Sequence, residues 1–288
     1  MLPVDMWADR NFVLEAVRQN GDALRFAAKA LQADRELVLE AVRQTGCAMA
    51  FAAESLRADP EFVLPLWPEC HCALQYAAEP LKADRDFILK AARQCGYALR
   101  YAAASLQADR EVVLEAVRQD GYALEYAAVP LRADRELVLE AVRQNGDALR
   151  HAAAPLRADR EVVLAAVAQA GHALLYAAAP LKADRDFVCE AVRQNGRALR
   201  FAAKPLQADR ELVLEAVRQD GGALHNAAEP LRDDPEFMHT VVMAKEPLMC
   251  QMLVVSKSSF SSFNNDALID FVLRAYTKGR AELALAHF

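Results

Sequence analysis

The chain lacks long apolar runs, a cysteine framework, a basic charge balance and a leader-like N-terminus, and each absence removes a class of protein. Its uninterrupted apolar stretches fall far short of a bilayer span, so no membrane-spanning segment is expected. Six cysteines in 288 residues do not make a dense disulfide scaffold, which favours a reducing compartment. The first residues, MLPVDMWADR, carry neither a basic lead nor an apolar core, so no secretory signal is read there. The expected protein is soluble and intracellular, with cytoplasm and organelle both open. Its net charge of −6 is the opposite of the basic footprint that phosphate backbones select, which argues against nucleic acid as the partner. No nucleotide-binding loop, nucleophile elbow or metalloprotease motif occurs, so no catalytic residue, enzyme activity or cofactor is expected.

What the chain does have is a period. Asp9 is followed by Asp34, Asp59, Asp84, Asp109, Asp134, Asp159, Asp184, Asp209 and Asp234, one every 25 residues. A strict period of this length signals a stacked array of small units rather than one globule. Apolar residues at 54% and charged ones at 26% leave ample material for a continuous core. With each Asp taken as position 0, its carboxylate suits a helix N-cap. Position 1 is Arg, or proline at Pro60 and Pro235, and position 2 is usually acidic, both suited to a first helical turn. Apolar positions 3, 4, 5, 7 and 8, as in Leu137, Val138, Leu139, Ala141 and Val142, form one face of a helix of about ten residues. Glu136, Glu140 and Arg143 share the other side.

Glycine is scarce, and eight of the ten sit at position 12, where the expectation is a left-handed residue closing the helix. A second, shorter helix follows, as in Asp147-ALRHAAA, and proline at position 21 in six of nine units is expected to stop it. A leucine at position 22, from Leu31 to Leu231, recurs as a packing anchor. Arg and Gln at positions 9 and 10 are expected to solvate the surface or to satisfy turn carbonyls. The expected fold is all-α, an α-solenoid of about ten stacked 25-residue helix-hairpin repeats with a degenerate C-terminal cap. Residues 1–8 read as a partial N-terminal cap and 9–233 as nine repeats. Residues 234–256 read as a degenerate tenth repeat, and 257–288 as a loop with C-terminal capping helices.

The phrase D-R-E-x-V-L-x-A-V-x-Q-N-G-x-A-L-x-[FY]-A-A-x-x-L closely resembles the helical repeat called domain of unknown function 4116, over about residues 6–245. The resemblance implies a helical repeat found in protist, algal and some bacterial proteins, and implies no established activity.

Two stretches break the rule. In the third unit Pro65 and Pro68 fall inside the first helix, Trp67 replaces a small residue and His71 replaces the glycine. This is either a built-in bend or docking notch, or drift that neighbouring units tolerate. After Asp234 the pattern decays: Glu246 stands at the glycine position, Met243, Met249 and Met252 enter, and a polar run from Ser256 reads as a loop. A capping unit or an adaptable methionine-rich surface would each explain it.

Variation between units marks a candidate binding face. In the second helix positions 14, 15, 18 and 19 barely change, whereas positions 13, 16 and 20 change freely and would share a face at 100° per residue. Position 17, at its edge, is mostly aromatic. These aromatics either pack between units or line a partner. The candidate partner-binding residues are Tyr76, Tyr97, Tyr101, Tyr122, Glu125, Tyr126, Arg150, His151, His172, Tyr176, Arg197 and Arg200. The expected role is a non-catalytic scaffold or subunit that binds protein through this face, the C-terminal unit or both. The alternative is a single-stranded nucleic-acid module, with aromatics stacking bases and Arg25, Arg100, Arg150 and Arg200 meeting phosphates. Cys70, His71 and Cys72 are weak metal candidates, because C-x-C is not a common zinc spacing. Cys47 and Cys72 fall at the same position of adjacent units, a separation expected to be too great for a disulfide, and the thiols are expected to be buried or idle.

Overall fold

In the computed structural model the described residues are 4–67 and 69–245, and all their regular structure is helical. They fall in two compact bodies that divide between Gln144 and Asn145. The expected helix break at Pro68, the decay at Glu246, Met249 and Met252, and the C-terminal capping unit lie outside the described residues, as does the side chain of Met243.

Each standard repeat opens with a ten-residue α-helix, such as Arg10–Gln19, Arg85–Gln94 and Arg110–Gln119 in the first body and Arg160–Gln169 and Arg185–Gln194 in the second. The repeat aspartates start these helices as expected. Asp9 Oδ1 accepts the N–H groups of Asn11 and Phe12 at 2.8 and 3.1 Å, and Asp109 does the same for Glu111 and Val112 at 2.9 and 3.2 Å. Such a bond satisfies donors that the first turn leaves free. Positions 3, 4, 7 and 8 form the core, as in Val112, Val113, Ala116 and Val117, while the position 5 leucine is buried only at Leu89 and Leu139.

The helix ends differently from expectation. The residue at position 11 is extended, with φ −154° and ψ 113° at Asn20, and the glycine that follows is not left-handed. That glycine opens the next element, and what it supplies is closeness. A Cβ on Gly21, Gly96, Gly146 or Gly196 would stand 2.3–2.5 Å from the carbonyl oxygen of Ala41, Ala116, Ala166 or Ala216, one repeat on. Two backbones therefore touch at a point where only hydrogen fits.

The second element is a six-residue 3-10 helix, as in Gly21–Phe26, Gly96–Tyr101 and Gly171–Tyr176, rather than an α-helix. At three residues per turn, positions 12, 15 and 18 stack on the core side, and Gly121, Leu124 and Ala127 are buried accordingly. Asn or Asp at position 11 caps it, with Asn20 Oδ1 accepting Asp22 N–H at 3.0 Å. A third element then completes the unit, a single helical turn such as Glu79–Lys82 or Leu206–Ala208. Proline at position 21 sits in the first residues of this turn at Pro80, Pro180 and Pro230, so it starts a turn instead of stopping the helix before it.

Successive repeats are joined by two ladders. One is backbone: the N–H at position 19 donates to the carbonyl at position 23 of the preceding repeat, as in Ala78 to Arg57, Ala128 to Gln107 and Ala203 to Lys182, at 2.8 Å. Ala28 makes the same bond to Trp7, at 2.8 Å, so the 3-10 turn Val4–Ala8 occupies the place of a preceding closing turn. The other ladder is ionic. Arg10, Arg35, Arg85 and Arg110 reach the cap aspartates Asp34, Asp59, Asp109 and Asp134 of the following repeat at 2.6–2.8 Å. In the second body Arg160 and Arg185 reach Asp184 and Asp209 at 2.7 Å, and Arg210 reaches Asp234. Position 9 also pairs across repeats, Arg93 with Glu115 at 3.1 Å, whereas the turn carbonyls are served by position 23. There Gln107 Nε2 donates to Leu99 O at 3.1 Å and Arg132 Nε to Ala127 O at 2.8 Å.

Candidate binding face

The third repeat is where the pattern yields and where aromatic side chains gather. Pro65 lies inside its first helix, which is shortened to Pro60–Leu66. Proline has no N–H for the carbonyl four residues back, that of Glu61. Arg35 fills that gap by donating from Nη2 to Glu61 O at 2.9 Å, in place of the glutamate carboxylate that other position 1 arginines hold.

Trp67 holds core position 8, fully buried, with its indole N–H donating to Ala91 O at 3.2 Å. Ala91 stands at position 7 of the fourth repeat, the position whose carbonyl faces the glycine at Gly21, Gly96, Gly146 and Gly196. Trp67 and His71 are therefore one substitution made in two places. The indole takes the carbonyl, and with that contact gone position 12 no longer has to be glycine.

From Trp67 a chain of edge-on ring contacts runs outward over repeats three to five. Trp67 meets His71 at 5.2 Å and Tyr101 at 6.0 Å; His71 meets Tyr97 at 5.2 Å; Tyr97 meets Tyr101 and Tyr126 at 5.7 and 5.6 Å. The Arg100 guanidinium lies over Tyr97, Tyr101 and Tyr126, at 5.3, 5.8 and 6.0 Å from their ring centres, and also contacts the Tyr97 hydroxyl. Burial above all, with the neighbouring Tyr97, pushes the Tyr101 phenol up to about 12. Tyr126 is raised by burial, then by Glu125 and Tyr97. These phenols are neutral hydrogen-bonding groups at physiological pH, on rings that are half buried and already ordered by one another.

Of the candidate residues, the structure thus brings Tyr97, Tyr101 and Tyr126 together, with Glu125 beside them. Tyr122 is half buried and its N–H donates to Asp120 at 2.9 Å. Tyr76 instead lines a separate open hollow of about 360 Å³ with Glu54, Arg57, Gln75 and Lys82. In the second body, His172 Nε2 stands 2.5 Å from Asp147, Arg197 pairs with Asp220 at 2.8 Å, and Arg200 lies 5.7 Å from the Phe201 ring centre. Arg150 is exposed, while His151 and Tyr176 are half buried.

Position 20 does not share the face of positions 13 and 16, because it opens the closing turn. In the 3-10 helix positions 13 and 16 eclipse each other, which is why Arg100 meets Tyr97. Arg100 was expected only as a phosphate contact of a nucleic-acid module and Trp67 only as part of a broken repeat, and neither was among the candidate protein-binding residues. Their signal was a tryptophan beside a proline in a repeat whose glycine is replaced by histidine, and an arginine three residues after a tyrosine.

The sulfur cluster also departs from expectation. Cys47 is exposed, and its Sγ lies 3.0 Å from that of Cys72 in the next repeat. Cys47 lies on the 3-10 helix Gly46–Phe51 and Cys72 on the short α-helix His71–Gln75 packed against it, with Gly46 placing no side chain between them. Cys70, His71 and Cys72 diverge. Cys70 Sγ faces Gly46, Cys72 faces Cys47, and the His71 ring lies against Trp67 and Tyr97. Among the described residues no three His, Cys, Asp or Glu side chains converge to hold a metal ion. No described helix is long and apolar enough to cross a membrane.

Neither the curated proteins nor the solved structures contain a significant match to the chain. A family model does match, at residues 9–57, 34–66, 69–107, 109–157, 159–207 and 209–238, and the elements described above recur in register with it. By that match, which covers most of its length, the chain belongs to the family described as "Domain of unknown function (DUF4116)".

Proposed function

We propose that this chain is a non-catalytic, intracellular scaffold that binds an extended segment of a partner protein along positions 13, 16 and 17 of its 3-10 helices. The observation that carries this reading is the ring assembly of Tyr97, Tyr101 and Tyr126 under Arg100. Partly buried, mutually ordered aromatics with an arginine are the side chains that dominate protein interfaces, since they offer large contact area at small entropic cost. The carboxylates of the repeat are meanwhile engaged in caps and arginine ladders, which supports a structural role for them.

The test is a photo-crosslinking amino acid placed at Tyr122 or Glu125, positions 13 and 16 of the 3-10 helix that carries Tyr126, or at Glu111 on the first helix as control. One discrete protein adduct, formed from the first two sites, absent from the third and lost in Arg100→Glu, is expected. Adducts independent of position would overturn the reading. So would binding of a single-stranded oligonucleotide at low salt that Arg100→Glu abolishes, which would put nucleic acid in the partner's place.

A further inference from the structure

Position 13 carries cysteine in two repeats only, and they are neighbours: Cys47 in the second and Cys72 in the third. The elements that hold them, Gly46–Phe51 and His71–Gln75, pack against each other. The sulfur atoms stand 3.0 Å apart, about 1 Å beyond a disulfide bond, a gap that small side-chain rotations close. Cys47 is exposed and Cys72 half buried, so a reagent meets Cys47 first. A third thiol, Cys70, points at Gly46, where a Cβ would stand 2.5 Å from its sulfur.

We propose that Cys47 and Cys72 are a reversible dithiol site, with Cys47 attacking low-molecular-weight disulfides and Cys72 resolving the adduct into an inter-repeat disulfide. The chemistry balances as an exchange. The Cys47 thiolate attacks one sulfur of R–S–S–R, whose S–S bond breaks, and R–S⁻ leaves and takes up a proton. Cys72 then loses its proton to solvent and attacks the Cys47 sulfur, expelling the second R–S⁻. Two protein thiols are oxidised and one external disulfide is reduced to two thiols. Burial above all, with the bond to Cys47, pushes the Cys72 thiol up to about 12, so it stays protonated and inert until the mixed disulfide forms beside it. This assignment concerns the thiols alone and stands or falls independently of partner binding.

The experiment incubates the full chain with glutathione at graded oxidised-to-reduced ratios, traps free thiols, and maps linked peptides by mass spectrometry. A Cys47–Cys72 linkage that reverses with reduced glutathione is expected. Cys72→Ser is expected to accumulate glutathione on Cys47, Cys47→Ser to lose both linkage and adduct, and Cys70→Ser to keep the linkage. Far-ultraviolet circular dichroism confirms that each variant is folded. A linkage through Cys70, or equal adduct levels on Cys47 in wild type and Cys72→Ser, would overturn the assignment. So would a pair that links only after denaturation.

Discussion

At the scale of the residue, the repeat glycines 21, 96, 146 and 196 are explained by contact and not by backbone angle, and the two explanations predict different mutants. A left-handed glycine resists every side chain, because strain follows from its own dihedrals. A contact glycine resists only where a neighbour stands. Alanine at Gly96 would put Cβ 2.4 Å from Ala116 O, a backbone atom that cannot step aside. Gly96→Ala is therefore expected to cost about 2–3 kcal/mol through forced separation of two repeats. Gly222 is the comparison. Its nearest neighbour would be the Asp220 carboxylate oxygen at 3.2 Å, and Gly222→Ala is expected to be near neutral. Denaturant titration of both variants reads the difference, and similar losses would restore the dihedral account. The caps, by contrast, were plain in the sequence, because an aspartate before an amphipathic run acts on its own first turn and needs no neighbour.

At the scale of the element, repeat three shows a defect repaired from outside. Pro65 removes the N–H that would serve Glu61 O, and Arg35 of the preceding repeat donates to that carbonyl instead, at 2.9 Å, while also pairing with Asp59 at 2.6 Å. The two residues should therefore be coupled. Arg35→Gln is expected to destabilise the chain in the native background and markedly less in Pro65→Ala, where a backbone N–H returns to Glu61. A coupling of about 0.5–1.5 kcal/mol follows from one hydrogen bond. The measurement is a double-mutant cycle from urea midpoints, and strict additivity would show that Arg35 does nothing for Glu61. The prolines and Trp67 were visible in the sequence as a break. Their consequence was not, because it depends on which atom of the next repeat the indole reaches. The 3-10 helix was hidden for a similar reason. Gly, Leu and Ala at positions 12, 15 and 18 carry a spacing of three that a short segment shares with an α-helical reading.

At the scale of the whole molecule, the cap aspartates act together, and their common chemistry makes stability depend on pH. Asp34, Asp109, Asp134 and Asp209 are held below the usual carboxylate range first by the hydrogen bond from the arginine of the preceding repeat, and then by backbone N–H groups. For Asp184 and Asp234 the order is reversed, with the N–H of Phe187 and Phe237 leading and Arg160 and Arg210 following. The arginine share was not legible in the sequence, because partners 24 residues apart meet only once the stacking register is known. A carboxylate whose folded value is depressed adds stability that is fully present above its unfolded value and is lost as pH falls through the folded one. The urea midpoint should therefore be flat from neutral pH to about 5 and fall steeply below about 4 as the unfolded chain takes up more protons. Asp84 supplies an internal contrast. Position 1 of the preceding repeat is Pro60, so among the described residues no basic side chain pairs with it, and it keeps only its cap bond to Phe87 N–H at 3.0 Å. Asp109→Asn should flatten the acid limb more than Asp84→Asn, and high salt should narrow the gap by screening the arginine and leaving the cap bond. Equal effects of the two substitutions at low salt would mean that the ionic ladder is decoration and the caps alone hold the charge.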